Sequence, residues 1–155
     1  MKPISNKLYN TIMRNGFEYG ASSITCMIDN VPFFSLTNIS YAETATFENL
    51  YGLGNQPVAR GISNNQYSAS ITIRKSEVIA LQKAASLAGD TDGSIDTILP
   101  FTIIVQFIRP GTSSGGVDTL LDVQFMENNV NVANGATAID VTIPLIISHI
   151  KWSTL

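Results

Sequence analysis

The ten residues 66–75, which read QYSASITIRK, constrain the fold of this chain more than any other stretch. Apolar and polar side chains alternate through them without a fault, with Tyr67, Ala69, Ile71 and Ile73 on one side and Ser68, Ser70, Thr72 and Arg74 on the other. A period of two is the spacing at which successive side chains of a β-strand point to opposite faces of a sheet. The stretch therefore predicts a strand with one buried and one solvent-facing side, as in an antiparallel sheet.

Other stretches of the chain also have strand character. They are residues 24–28, 33–51, 101–109, 120–127 and 138–147. In the long run 33–51 the apolar positions are first Phe34 and Leu36 and then Ile39, Tyr41, Ala45 and Phe47. This one-residue change of phase near Thr37 and Asn38 predicts a β-bulge or a tight bend.

Residues 75–88 have the pattern of a helix. Ser76 is placed to cap its N-terminus, Glu77 favours the positive end of the helix dipole, and Gly89 ends the pattern. The apolar residues recur at helical spacing, at Val78, Leu81, Ala85 and Ala88. We expect this stripe to pack against the sheet.

These elements predict a mainly β protein, an antiparallel β-barrel or β-sandwich of about six to eight strands with one packed α-helix. Residues 1–155 show no internal repeat and no change of composition that would mark a second domain, so one domain is expected. Residues 1–20 lack a sustained period, and we interpret them as an extended N-terminal arm.

The charge content of the chain is low. Charged residues make up 14% of it, against roughly 25% in an average globular protein. Such a chain is expected to bury much of its surface, either within itself or in an assembly. The formal net charge is −3 and no cluster of Lys or Arg occurs, which disfavours tight wrapping of nucleic acid.

No run approaches the roughly 20 apolar residues of a membrane span, and we expect neither a membrane anchor nor a signal peptide.

The segment 51–61, YGLGNQPVARG, has the glycines of a phosphate-binding loop but not its context. After Gly52 and Gly54, Pro57 stands where a dinucleotide fingerprint has its third glycine, and a strand follows instead of a helix. Without a helix N-terminus there is no array of amides to hold a phosphate. We interpret residues 51–66 as the projecting loop of a long hairpin, in which the glycines allow positive φ and Pro57 stiffens the return.

No constellation for catalysis or metal binding stands out. Asp90, Asp92 and Asp96 have a faint likeness to a calcium loop, but the glutamate and the helix that should follow are missing, so a solvated loop is expected. His149 and Cys26, each the only residue of its type, cannot supply the three or four ligands of a zinc site. No nucleophile motif accompanies His149. The sequence predicts no enzyme, no cofactor and no metal.

The polar positions of the strands are hydroxyl-rich and nearly uncharged. They are Ser40, Thr44, Thr46, Ser68, Ser70 and Thr72. The strand propensity of threonine can produce such a pattern by itself. The alternative is a functional surface, past which another molecule moves without being bound.

From Leu36 to Glu77 the chain resembles the tail tube proteins of tailed phages, which are relatives of the tube subunits of type VI secretion systems and contractile injection machines. The resemblance is carried by the strand that ends near Glu48 and Asn49, the YGLGNQPVAR loop, the alternating strand 67–74 and the helix after it. These elements cover about a quarter of the chain.

The resemblance implies a structural virion protein without enzymatic activity, whose hexameric rings stack into a hollow tail tube through which DNA passes. In such tubes the long strands of all protomers join into one continuous β-barrel that surrounds the lumen. The helix packs on the outside of this barrel, and the loops and the N-terminal arm contact the adjacent ring. It implies inter-ring contacts at Tyr51, Gly52, Leu53, Gly54, Pro57 and Arg60, and a lumen lined by Ser40, Thr44, Thr46, Ser68, Ser70 and Thr72. Expected partners are further copies, sheath, baseplate or tape-measure proteins, and double-stranded DNA in transit without specific binding. The expected location is the virion tail, assembled in the host cytoplasm.

Two alternatives stay open. One is a tail terminator, an adaptor or an injection-system tube subunit of the same fold; a terminator or adaptor would form single rings. The other is a small β-sandwich module that binds a ligand such as a glycan, with Tyr51 and Trp152 as candidate aromatic contacts. One feature counts against the tube hypothesis. If Arg60 and Arg74 both faced the lumen, their positive charges would attract DNA phosphates and weaken the repulsion of DNA.

Overall fold

The structure, a computed structural model, describes residues 24–28, 31–32, 36–89, 91–108 and 115–152. The predicted N-terminal arm, residues 1–20, lies outside this range. The strands in the described part are β1 (Ile24–Ile28), β2 (Val31–Pro32), β3 (Leu36–Thr44), β4 (Phe47–Tyr51), β5 (Pro57–Ile62), β6 (Gln66–Arg74), β7 (Phe101–Ile108), β8 (Gly115–Phe125), β9 (Asp140–Ile146) and β10 (His149–Lys151). The α-helix in that part, α1, is Lys75–Leu87, and a short 3-10 helix spans Ile95–Thr97.

Eight of these strands form one antiparallel sheet, in the order β2-β1-β7-β8-β9-β6-β3, with β10 pairing β8 beside this path. Strand β8 joins the two halves of the sheet, because its first part pairs with β7 and β10 and its last residues, Gln124 and Phe125, pair with β9. Asp122, two residues before the part that pairs with β9, has a φ of +52°, a conformation that aspartate tolerates better than most residues. The Ser148 hydroxyl donates to the Asp122 carboxylate at 2.8 Å and holds this bend.

The core lies between the two halves of the sheet. Its fully buried side chains come from both halves and from the helix region, and they include Ile71, Ile73, Val78, Ile95, Ile103, Val105, Leu120, Val123, Val141, Ile143 and Ile150. This packing makes the protein a β-sandwich and confirms the predicted fold class. Of the two architectures expected, the barrel is not formed, because the described sheet stays open with β2 at one end and β3 at the other.

Strand β6 forms where its alternation predicts a strand, and it lies at the centre of one half. Ile71 and Ile73 are buried, and the strand pairs with β3 on one side and β9 on the other. The predicted bulge in the long run is confirmed by a register shift between Leu36 and Asn38. The run does not continue as one strand, however, because residues 45–46 separate β3 from β4. Phe47, predicted on the buried side, is 52% exposed.

Helix α1 begins directly after β6, and this changes how its N-terminus is capped. Ser76 was expected to cap the helix, but that prediction is wrong: the N-cap residue is Arg74, and its side chain makes no capping hydrogen bond. The backbone amide of Lys75 instead donates to the Ile139 carbonyl at 2.9 Å, since the strand leads straight into the helix beside β9. Val78 and Ala85 are buried as predicted, whereas Ala88 is exposed at the C-terminal end.

Strand β8 begins five residues before the predicted start at residue 120, in a stretch that has the composition of a loop. A Cβ atom on Gly115 would lie 1.6 Å from the Phe107 carbonyl oxygen, so no side chain fits there. The glycine therefore allows close approach of two paired strands rather than a turn. At the other end of the chain, His149 begins the additional strand β10 rather than ending the previous one.

Candidate assembly surface

One face of the β3-β6-β9 half carries most of the predicted lumen residues. Ser40 lies opposite Ser70, Ala42 opposite Ser68, and Thr44 opposite Gln66. Directly opposite residues of paired strands point to the same side of a sheet. The structure therefore brings five of the six predicted residues onto one face, whereas Thr46 lies beyond it in the connection 45–46. The opposite side of the same strands faces the core.

This surface extends onto β9 through a residue that the sequence analysis did not select. Thr142 lies opposite Thr72, and their hydroxyl oxygens are 2.9 Å apart in a hydrogen bond. We call the set Ser40, Thr44, Ser68, Ser70, Thr72 and Thr142 the hydroxyl face. Thr142 alternates with buried Val141 and Ile143 in β9, so the same period-two signal marks it once that strand is recognised.

Charge appears on the hydroxyl face only toward one end of the strands. Arg74 continues the polar series of β6, and it lies opposite Asp140 of β9. A cation and an anion in opposite register offset each other's field. Asp140 therefore offsets the positive charge that Arg74 would otherwise give to this face.

Strands β4 and β5 form a two-stranded ribbon outside the main sheet. We call residues 47–62 the outer ribbon. Every residue of β4 is exposed, and so is every residue of β5 except Gly61. The large apolar side chains that the ribbon exposes are Phe47, Leu50, Tyr51, Leu53, Val58 and Ile62. The ribbon thus carries an apolar surface that the described part of the protomer does not bury.

The outer ribbon corrects the predicted extent of the loop. Residues 51–66 were interpreted as a loop, but 57–62 pair with β4 as a strand, and only residues 52–56 form the turn. The side-chain composition of PVARGI, with a proline and a glycine, hides this strand. At the tip, Leu53 is fully exposed and Gly54 has a φ of +134°, which side chains of other residues rarely allow.

The remaining predicted contact residues fall within the same ribbon. Tyr51 lies opposite Pro57, next to a register shift between Leu50 and Tyr51, and Arg60 lies opposite Asn49. Gly52 follows Tyr51 at the beginning of the turn. All six predicted residues are therefore placed together at the tip and along the ribbon. Arg60 belongs to this ribbon and not to the strands that carry the hydroxyl face.

A cluster of hydrogen-bonded side chains lies where the ribbon leaves the main sheet. The Glu43 carboxylate accepts from the Asn65 amide at 2.5 Å, from the Trp152 indole N–H at 2.7 Å, and from the Tyr67 hydroxyl at 3.4 Å. The Tyr67 oxygen is also 3.1 Å from His149 Nδ1. We call Glu43, Asn65, Tyr67, His149 and Trp152 the root cluster. Sequence reasoning missed it because its members are far apart in the chain.

Tyr41 links the two halves of the sandwich beside the root cluster. Its hydroxyl donates to the Asp118 carboxylate at 2.6 Å, and Asp118 is buried. Burial, together with the hydrogen bond to Asp118, raises the pKa of the Tyr41 hydroxyl. The Tyr41 ring packs on the Trp152 ring at a centroid distance of 5.5 Å. Trp152, a candidate ligand contact in the glycan hypothesis, is thus engaged by Tyr41 and Glu43 within the protein.

The residues considered for chemistry lie apart from one another. Cys26 is buried in the core, and burial raises the pKa of its thiol to about 11. His149 contacts Tyr67 by a hydrogen bond and an edge-on ring contact. In the acidic loop Asp90 lies outside the described residues, and the Ser94 hydroxyl donates to the Asp96 carboxylate. Within the described ranges, no three His, Cys, Asp or Glu residues are grouped as metal ligands would be.

The helix within the described ranges is too short to cross a membrane.

Comparisons with known proteins show similarity in fold and not in sequence. No protein-family model matches the chain, and no curated protein matches it by sequence.

Solved structures do share its fold. A chain of the tube-terminating cap of the anti-feeding prophage aligns with a TM-score of 0.62 and 7% identity, over 90% of this chain and 93% of the other. A chain of the sheath–tube complex of an extracellular contractile injection system, in its extended state, aligns with a TM-score of 0.62 and 7% identity, over 99% and 100%. A chain of the anti-feeding prophage baseplate, six-fold symmetrised, aligns with a TM-score of 0.53 and 11% identity, over 83% and 89%.

Proposed function

We propose that this protein is a structural subunit of a phage tail or a tail-like injection particle, and that it acts by self-assembly into hexameric rings that stack into a hollow tube. The observation that carries the proposal is the outer ribbon, an exposed apolar hairpin that stands apart from the core. The fold shared with cap, sheath–tube and baseplate chains supports the same class of structural protein.

The outer ribbon has the properties of a surface made to be covered. An isolated two-stranded hairpin is marginally stable in water, and this one exposes Phe47 at 52%, Tyr51 at 62% and Ile62 at 65%. Burying a large apolar side chain contributes about 1.5–3 kcal/mol. A second copy that covers several of them would both stabilise the ribbon and hold two rings together. We assign Tyr51, Gly52, Leu53, Gly54, Pro57 and Arg60 to this inter-ring contact.

The open sheet gives a route to ring closure. Strand β3 pairs with β6 on one side and lies at the end of the described sheet on the other. Among the described residues nothing pairs with this edge of the nine-residue strand, and an open strand edge is a site for pairing with another chain. Contacts between unlike surfaces of identical subunits close into rings when the rotation allows it. Such a ring would extend the β3-β6-β9 half of each copy into one barrel around a channel.

In this arrangement the hydroxyl face lines the channel, together with Thr46. Basic side chains there would bind phosphates and slow a passing nucleic acid, and the face instead presents Ser and Thr hydroxyls. Six copies at −3 each would carry −18 per ring, which repels DNA rather than capturing it. We therefore propose passage of double-stranded DNA without specific binding as the function of the channel.

The proposed setting follows from the neighbours in the fold comparison. They come from a cap, a sheath–tube complex and a six-fold symmetrised baseplate. We propose sheath, baseplate or tape-measure proteins as further partners, and the virion tail, assembled in the host cytoplasm, as the location. The role is structural, without enzymatic activity.

A second candidate is a terminator that forms a single ring at the end of the tube. One observation favours it: the tube-terminating cap matches this fold with the same TM-score, 0.62, as the sheath–tube complex. A terminator would share the hydroxyl face and the ring contact. It would differ in using one of its ring faces against a different protein.

Electron microscopy of the purified protein over a range of concentrations tests both candidates. A tube subunit gives stacked rings whose length grows with protein concentration, and a terminator gives rings that do not stack. A protein that sediments as a monomer at every concentration and shows no rings would rule out self-assembly by this chain.

A further inference from the structure

The root cluster lies at the point where the outer ribbon leaves the sandwich. Glu43 is the penultimate residue of β3, and the chain then passes through residues 45–46 into β4. The return from β5 to β6 passes through residues 63–65 and ends beside Tyr67. The two connections differ in length by one residue, so the pairing of the strands is interrupted here. The Ser63 amide donates to the Thr46 carbonyl at 2.9 Å within this interruption.

The C-terminal segment supplies much of what holds the cluster. Strand β10 pairs with β8, in the other half of the sandwich, from His149 to Lys151. From that position His149 contacts Tyr67 of β6, and Trp152 donates its indole N–H to Glu43 of β3. Both arms of the long hairpin are thus connected to the C-terminal segment. Hydrogen bonds to a carboxylate are among the stronger ones in proteins.

The geometry of the break gives these contacts a specific role. A two-stranded ribbon joined to a sheet through two short irregular connections can swing about them, because few backbone bonds resist bending there. Glu43 contacts the end of one connection through Asn65 and the C-terminal segment through Trp152. Its carboxylate therefore links one of the two short connections to the residue that follows β10, a strand of the opposite half of the sandwich.

We propose that residues 149–152 form a latch that sets the direction of the outer ribbon, with Glu43 as its positioning residue. This inference rests on the proposed function of the ribbon as an inter-ring contact. The latch holds the ribbon in one orientation before a second copy arrives, which lowers the ordering cost of assembly. Loss of the latch leaves the sandwich folded and the ribbon free to swing.

Hydrogen–deuterium exchange of the full chain at a concentration where it is a monomer tests the latch. Glu43→Ala removes the acceptor for Asn65 and Trp152, and we expect exchange in residues 43–47 and 62–67 to rise about tenfold, with core strands β7 and β8 unchanged. Glu43→Gln keeps one acceptor oxygen and should restore part of the protection. Trp152→Phe keeps an aromatic ring at this position, but it loses the N–H donor to Glu43 and part of the ring area beside Tyr41, and it should give a smaller rise in the same segments.

Gln82→Ala is the matched control. Gln82 lies on α1 and donates to the Asn128 side-chain carbonyl at 3.1 Å, so its loss removes one exposed side-chain hydrogen bond without touching the hairpin or the C-terminal segment. Equal exchange at residues 43–47 and 62–67 in Glu43→Ala and Gln82→Ala would overturn the latch. So would a lack of protection of these segments in the unmodified protein. If Glu43→Ala does not fold, exchange at residues 43–47 and 62–67 in Trp152→Phe tests the latch instead, and no rise there would overturn it.

The assembly experiment separates the latch from the proposed function. If the unmodified chain forms no rings at any concentration, the proposed function fails, while the exchange result still reports on the latch. If it does form rings, Glu43→Ala should need about tenfold more protein to assemble, and Gln82→Ala should not. Normal assembly by Glu43→Ala, together with unchanged exchange, would overturn the latch alone.

Discussion

Replacing Leu53 with aspartate separates the assembly surface from the stability of the fold. Leu53 lies at the tip of the outer ribbon and is fully exposed, with a relative exposure of 111%. The substitution removes no contact within the protomer, so its free energy of unfolding should change by less than about 0.5 kcal/mol. Any larger effect on assembly must then come from contacts between copies.

The expected effect on assembly follows from burial of that side chain between rings. Burying one leucine contributes about 1.5–3 kcal/mol, and a carboxylate in its place adds a desolvation cost. A loss of about 2 kcal/mol per contact corresponds to about a 30-fold higher concentration for half-maximal assembly. Pelleting of assembled protein against total concentration measures this directly. Leu53→Ala removes the apolar contact without the charge and should give a smaller shift in the same direction.

Leu87→Asp is the matched control for this substitution. Leu87 is 90% exposed at the end of α1, and the proposed inter-ring contact does not include it. It should assemble like the unmodified chain, apart from the small effect of an acidic residue at a helix C-terminus. An unchanged assembly concentration for Leu53→Asp, or an equal rise for both variants, would refute the assignment of the ribbon tip to the inter-ring contact.

Three further predictions concern the sandwich itself. Ile71→Ala should lower the free energy of unfolding by about 2–5 kcal/mol in denaturant titration, because the side chain is 1% exposed in the core. Tyr41→Phe removes a donor from the buried Asp118 carboxylate and should cost about 1–3 kcal/mol in the same assay; an unchanged midpoint would contradict that role. Cys26 should resist alkylation in the native state, and because its pKa is raised from 9.0 to about 11, the unfolded thiol ionises first as pH rises. Between pH 9 and 11 the protein should therefore lose about 2–3 kcal/mol more stability than Cys26→Ala loses.

Strand β6 shows which parts of the fold were predictable from sequence. Its alternation identifies both the buried side with Ile71 and Ile73 and the polar side with Ser68 and Ser70, because a period of two has one structural meaning. The helix after it was predicted for the same kind of reason. Its cap was not, because the choice of the Ile139 carbonyl as partner for Lys75 depends on the neighbouring strand.

The parts that sequence reasoning missed depend on contacts distant in the chain. The strand Pro57–Ile62 has loop composition and becomes a strand only through pairing with β4. Gly115 likewise lies in a stretch of loop composition, and its place in a strand depends on the carbonyl of Phe107 beside it. The root cluster joins residues separated by as many as 109 positions, from Glu43 to Trp152. No local pattern marks such a pair.

Cryo-electron microscopy of particles assembled from the purified chain is the direct test of whether this protein builds a tube. We expect six-fold rings in which β3, β6 and β9 form the channel wall, with the hydroxyls of Ser68 and Ser70 facing the channel and the outer ribbon between rings. A map of an assembly in which the hydroxyl face points outward, or a protein that stays monomeric under all conditions, would contradict it.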